Sequence, residues 1–232
     1  MGPRVALTGI GRVVFAALIL ACLSACGSDK PQASPLAQAL GAVAKSALHR
    51  GAAEGSGATA GTQTAVTRAD LEKLGTPVLQ VAVAARAFAA LLTPSDVKGN
   101  VVTWISQDSV TFTFRDGILI QTRGLGPDLM SAEAPSVSQL LAPGVSYVRA
   151  YYFLGADDQP TRRKYDCSTA IAGKESLEIL ERSYTVTHVI ETCSRPQGSM
   201  TNEYWIDGTT VRRSHELLSG GAGFVDFARI ID

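Results

Sequence analysis

Residues 110–120 read VTFTFRDGILI, and this stretch decides the fold. Val110, Phe112 and Phe114 fall on one side of an extended chain and Thr111 and Thr113 on the other, the period-two alternation of a half-buried strand. Asp116-Gly117 follows, a dipeptide that signals a tight hairpin because both central residues of the favoured turn take positive φ. Ile118-Leu119-Ile120 then runs back.

The same grammar recurs in both directions. Residues 101–106 (VVTWIS) are β-branched and aromatic, and residues 77–90 alternate in part. Residues 148–154 (VRAYYFL), 167–173 and 177–180 are further strand candidates. Tyr184, Val186, His188 and Ile190 alternate with Thr185, Thr187 and Val189. Residues 203–206 turn at Asp207-Gly208 into 209–213, a second Asp-Gly hairpin. In the last run Phe224, Asp226, Ala228 and Ile230 oppose Val225, Phe227 and Arg229. Two short helices are expected. One opens at the capping-box variant Thr67-Arg68-Ala69-Asp70 and ends near Leu74-Gly75, and the other spans residues 131–141. Ten or so strands with one or two helices predict an all-β fold, an antiparallel sandwich or barrel.

Upstream of this body the composition changes. The chain opens with Arg4 and Arg12 and carries no acid before Asp29; residues 13–20 (VVFAALIL) are an apolar run too short for a span of roughly 20 residues. That pattern is the core of a secretory signal. Leu23-Ser24-Ala25-Cys26-Gly27 follows it, a sequence similar to the lipobox of bacterial lipoproteins, in which Cys26 is lipidated and becomes the mature N-terminus. The competing reading is an ordinary signal cut near Ala25 that leaves Cys26 as a free thiol. Acyl chains anchor at about 0.8 kcal/mol per buried methylene, so the lipidated protein would be tethered without spanning. No Asp follows Cys26 directly, which favours the outer membrane in bacteria that use Asp there for inner-membrane retention. Residues 27–66 are rich in Ala, Gly, Ser, Thr and Gln. They read as a stalk with a short amphipathic helix over 35–50 and a flexible linker over 51–65, or as a helix docked on the body. The expected organisation is thus a signal peptide over 1–25, a lipidated tether over 26–66 and a β-rich domain over 67–232.

Twenty-one basic residues balance 21 acidic ones, and removing Arg4 and Arg12 leaves a net charge of −2. With 46% apolar residues the chain is neither disordered nor a polybasic nucleic-acid binder. Beyond the lipobox only Cys167 and Cys193 remain, and two cysteines in an exported chain are most simply a disulfide.

Catalytic signatures are missing: no HExxH, no phosphate-binding GxxxxGK[ST], no GxSxG elbow. His49, His188 and His215 lack metal-ligand spacing, so neither a metal nor a cofactor is expected. Asp157-Asp158 sits in turn composition. Three features stand as binding candidates. Gln121-Thr122-Arg123-Gly124-Leu125-Gly126-Pro127-Asp128 follows a hairpin strand, and Arg123, Gly124 and Gly126 fit either a contact loop or an irregular turn. Trp104, Tyr151-Tyr152-Phe153, Tyr204 and Trp205 fit either a sugar- or protein-binding platform or strand packing. Arg162-Arg163-Lys164 with Arg212-Arg213 fits either a basic patch or solvated surface.

The ordered set Thr67-Arg68-Ala69-Asp70-Leu71, Gly75-Thr76-Pro77, Trp104, the Gln121–Gly126 run, Tyr165-Asp166-Cys167 with Cys193-Ser194-Arg195-Pro196, Tyr204-Trp205-Ile206 and the lipobox resembles the YjbF/GfcB family. These are lipoproteins of exopolysaccharide and group 4 capsule production. The resemblance implies an all-β, lipid-anchored, periplasm-facing protein. It also implies work beside a porin-like outer-membrane barrel and other polysaccharide-export proteins, with polysaccharide as a candidate ligand. No catalytic residues carry across. The leading expectation is a non-catalytic outer-membrane lipoprotein of polysaccharide export that binds an envelope protein, a glycan, or both. The alternatives are a periplasmic polysaccharide-acting enzyme using loop carboxylates and a structural envelope lipoprotein.

Overall fold

The computed structural model describes residues 66–126, 128–142, 144–154, 159–219 and 222–232. The signal, the lipobox with Cys26, the tether and Asp157-Asp158 lie outside the described residues. Twelve antiparallel strands form one sheet in the order β5-β4-β3-β2-β1-β12-β11-β10-β9-β8-β7-β6. They are β1 Val78–Val83, β2 Phe88–Lys98, β3 Val101–Ile105, β4 Thr111–Arg115, β5 Ile118–Arg123, β6 Leu129–Glu133, β7 Ser146–Leu154, β8 Pro160–Ile179, β9 Arg182–Arg195, β10 Gly198–Asp207, β11 Thr210–Ser219 and β12 Gly223–Ile231. The first strand pairs with the last, Val81 opposite Phe227. The two edges, β5 and β6, are consecutive in the chain. The result is a nearly closed barrel, the second of the two expected architectures.

Strand alternation points one row of side chains inward. Leu79, Val81, Leu92, Trp104, Phe112, Phe114, Leu129, Tyr151, Leu218, Val225 and Phe227 fill the interior. Phe227 meets Phe112 and Phe114 edge-on, with ring centroids 5.3 and 4.8 Å apart. The outer row of β8 carries Arg162, Lys164, Asp166 and Ser168, all exposed. This charged outer row on β8 differs from the apolar outer row of a lipid-embedded strand. No helix among the described residues is long and apolar enough to cross a membrane.

Helix α1 (Arg68–Glu72) begins at the expected capping box, with Thr67 and Asp70 exchanging hydrogen bonds. It lies on the outer face, where Leu71 joins Val78, Leu91, Ile230 and the far half of the long β8–β9 hairpin (Leu177, Ile179, Tyr184, Val186) in a second core. Arg68 fastens this hairpin at its tip, donating to the carbonyls of Leu180 and Ile179 and to the Tyr184 hydroxyl. Helix α2 (Val137–Leu140) packs Val137 and Leu140 against Ile118, Val189, Tyr204 and Ile206. Cys167 and Cys193 face each other across β8 and β9, Cα atoms 4.0 Å apart, and form the disulfide.

Several local expectations are corrected. The helix over 131–141 shrinks to α2, because Leu129–Glu133 pairs with β7 as strand β6. The segments 167–173 and 177–180 are one 20-residue strand that a bulge at Ile171/Gly173 bends without ending. The segment 77–90 breaks at a 3-10 turn, Ala84–Arg86, where Ala87 takes the left-handed conformation (φ 46°).

Candidate functional site

The interior holds a polar cluster that the sequence reading passed over. Arg149 on β7 donates to Glu191 on β9 at 2.7 Å, to Glu216 on β11 at 3.2 Å and to the Tyr204 hydroxyl on β10 at 2.8 Å. Asn202 donates to Glu191 at 2.6 Å, and Tyr147 does so at 2.7 Å from the opposite side. The Leu119 amide of β5 reaches across to Glu216. Arg149, Glu191, Asn202, Tyr204 and Glu216 are each 0% exposed. Burial alone would lower the Arg149 pKa, but the fields of Glu191, Tyr151, Tyr204 and Glu216 outweigh it and hold the guanidinium charged. Burial also raises the Glu216 carboxyl, opposed by Arg149 and hydrogen bonds. The Glu191 and Glu216 carboxylates are sealed from any polymer, so the cluster ties five strands (β5, β7, β9, β10 and β11) across the lumen and offers no acid–base pair to a substrate. Its one sequence signal is Arg149 on the inward parity of β7 with Tyr151 and Phe153, a charge set on an apolar face.

The Gly-rich segment is the barrel's seam. Asp128 accepts from the amides of Gly124 and Leu125 and from the Thr122 hydroxyl, at 2.9, 3.2 and 3.0 Å. Thr122 in turn accepts the Leu129 amide, and Arg123 donates to the Leu129 carbonyl at 3.1 Å. Gly124 and Gly126 hold φ near +94° and +92°, which the turn requires. Side chains of β5 therefore hold the backbone of β6 where ladder bonds are missing.

The aromatic candidates separate. Trp104 and Tyr204 face the interior, 2% and 0% exposed. Trp205 lies on the outer face, stacked on His188 at 4.6 Å with Arg213 over its ring at 4.9 Å, and its indole N–H donates to Glu175. The basic runs disperse as well. Arg212 pairs with Asp207 and Asp232, Arg162 with Glu133, and Arg163 sits over Phe153.

An open cleft of about 430 Å³ lies at one end of the barrel, where the β2–β3, β4–β5 and β10–β11 turns converge beside α2. Its size is that of ordinary ligand clefts. Asn100, Asp116, Ser138, Thr209 and Thr210 supply polar groups, and Arg229 forms part of its floor. Gly117, Val211 and Arg229 also wall a void of about 20 Å³ behind it, room for one water.

The family described as group 4 capsule polysaccharide lipoprotein gfcB, YjbF, matches residues 37–230. The chain belongs to the YjbF family. Among solved structures, this YjbF chain is similar to the hypothetical lipoprotein YmcC from Escherichia coli, with a TM-score of 0.64 and 20% identity over 72% of this chain and 89% of that one. That likeness supports the fold. It also matches a putative exported protein with a YmcC-like fold from Bacteroides fragilis, at a TM-score of 0.35 and 9% identity over 67% of this chain and 93% of that one. No curated protein matches.

Proposed function

We propose that this YjbF-family protein is a non-catalytic lipoprotein of a capsule or exopolysaccharide export system. In this reading Cys26 is lipidated, the protein sits in the outer membrane facing the periplasm, and residues 67–232 bind a partner envelope protein, a glycan, or both. The family match over residues 37–230 carries the reading, because the family is described by that lipoprotein class and that polysaccharide. The cleft supports a binding role over hydrolysis, since its described lining carries one carboxylate, Asp116, where a glycosidase needs two at the substrate. The cleft at the turn-lined end gives the body a place to hold a ligand.

The test is a deletion in the producing bacterium under conditions that induce the polysaccharide. Loss of the secreted polymer, restored by the intact gene and not by a Cys26→Ser copy, is the expected result. Unchanged secretion in the deletion strain overturns the proposal. Pull-down from solubilised envelopes then names the partner, with an outer-membrane barrel or an export protein expected among the co-purified species.

A further inference from the structure

Arg229 is the unusual member of the cleft. It shares the inward face of β12 with Val225 and Phe227, and its guanidinium lies 5.5 Å from the centre of the Trp104 ring. Among the described residues its side chain makes no hydrogen bond and no ion pair, and its Nε is fully buried without an acceptor. Asp232, the acid whose field it feels, is held by both oxygens on Arg212. Burial and the neighbouring Arg212 work against its charge, a cost that a bound anion would offset. Arg229 is half-buried overall, and a guanidinium with a sealed Nε and no carboxylate on it is unusual, because the group presents five donors in a rigid fork matched to carboxylate or phosphate.

The rest of the cleft narrows the ligand. Thr209, Thr210 and Ser138 offer hydroxyls that both donate and accept, and Asn100 donates its amide to Asp116 at 2.8 Å. Asp116 accepts only, so it receives a hydroxyl and repels an anionic group, which leaves Arg229 as the place for a ligand's negative charge. A ligand that satisfies both walls carries several hydroxyls and one carboxylate. We infer that the turn-lined cleft binds a uronic acid unit of a polysaccharide, its carboxylate on Arg229 and its ring hydroxyls on Asp116, Thr209 and Thr210. This deepens the proposed glycan role and rests on it.

The test uses the full-length chain in detergent and two short probes, trigalacturonate and the neutral maltotriose. Titration followed by backbone-amide NMR should move Gly117, Thr209, Thr210 and Arg229 with trigalacturonate, with affinity near the millimolar level usual for weak sites. Maltotriose should bind at least tenfold more weakly. Arg229→Gln should remove that preference, and Arg229→Lys should keep part of it. Amide shifts on the unaltered protein decide the matter even if a variant folds poorly. No shift at the cleft up to about 10 mM trigalacturonate, or equal binding of the two probes, overturns the inference. That failure would leave the secretion phenotype of the deletion strain intact, whereas unchanged secretion would defeat the export reading whatever the probes do.

Discussion

Arg149 and Glu191 meet at 2.7 Å inside the barrel, neither side chain more than 1% exposed, with Glu216 completing a cationic centre between two acids. The desolvation cost of an ion pair this deep can exceed its attraction, but breaking it strands the remaining charge. Arg149→Met should therefore destabilise the domain by about 3–5 kcal/mol in urea unfolding, since both glutamates lose their counter-ion. Adding Glu191→Gln and Glu216→Gln to that variant should recover about half of the loss. A single Arg149→Met variant as stable as the parent would show that the acids take up protons at little cost.

His215 and Asp226 pair across β11 and β12 at 3.0 Å. The hydrogen bond from Asp226 raises the His215 pKa above 6.5, against the desolvation of its half-buried site; Glu203 adds to the rise and Arg213 opposes it. A raised folded pKa means the stabilisation is full below the unfolded value and disappears as pH climbs through the folded value. Stability measured by urea midpoint should therefore fall as pH rises above about 6.5, and Asp226→Asn should flatten that slope. Glu216, raised in the same sense, adds a decline of the same sign beginning above its ordinary carboxyl range.

The Cys167–Cys193 bridge spans a sequence separation of 26. Loop-closure entropy for such a span gives about 3.5 kcal/mol. For a domain of this size each kcal/mol moves Tm by roughly 2–4 °C, so reduction should lower the melting temperature by about 7–14 °C. Calorimetry with and without reductant reads this directly, and identical melting curves would show that the bridge adds nothing.

Gly117 sits at φ +83° in the β4–β5 turn, and a Cβ there would lie 3.1 Å from Val211. Gly99 has φ +61° with nothing within 4 Å. Both Ala variants meet the left-handed penalty of about 1–2 kcal/mol, but only Gly117→Ala also pushes into β11. Gly117→Ala should melt several degrees below Gly99→Ala. Equal melting would mean that the two turns move apart freely.

The hairpin at Asp116-Gly117, the second one beside Asp207 (its turn shifted by one residue to Gly208-Thr209), the capping box at Thr67 and the last strand were legible because each depends on chemistry within a few residues. Strand β2 was not, since Pro94, Ser95, Asp96 and Lys98 break the alternation; its first half pairs with β1, and its second half pairs with β3 through a bulge at Pro94/Asp96. The segment 131–133 looks helical in isolation but is recruited by β7, a tertiary contact overriding propensity. Arg229 could be seen on the face of Val225 and Phe227, but its cleft could not be anticipated. The walls come from turns about a hundred residues apart, and only barrel closure brings them together. The Gly124–Gly126 run stayed open for the opposite reason, since glycines shaped for close approach serve a backbone neighbour as readily as a ligand.

The seam between Thr122 and Leu129 has a colloidal consequence. A sheet ordinarily ends in two rows of unused amides and carbonyls, each a template on which a neighbour's strand can polymerise. Here both ends belong to the same short stretch of chain. The hydroxyl of Thr122 and the guanidinium of Arg123 occupy the amide and carbonyl of Leu129 that an intruding strand would seek. Copies crowded side by side on a surface would meet wall to wall, with no frayed border for one sheet to extend into the next.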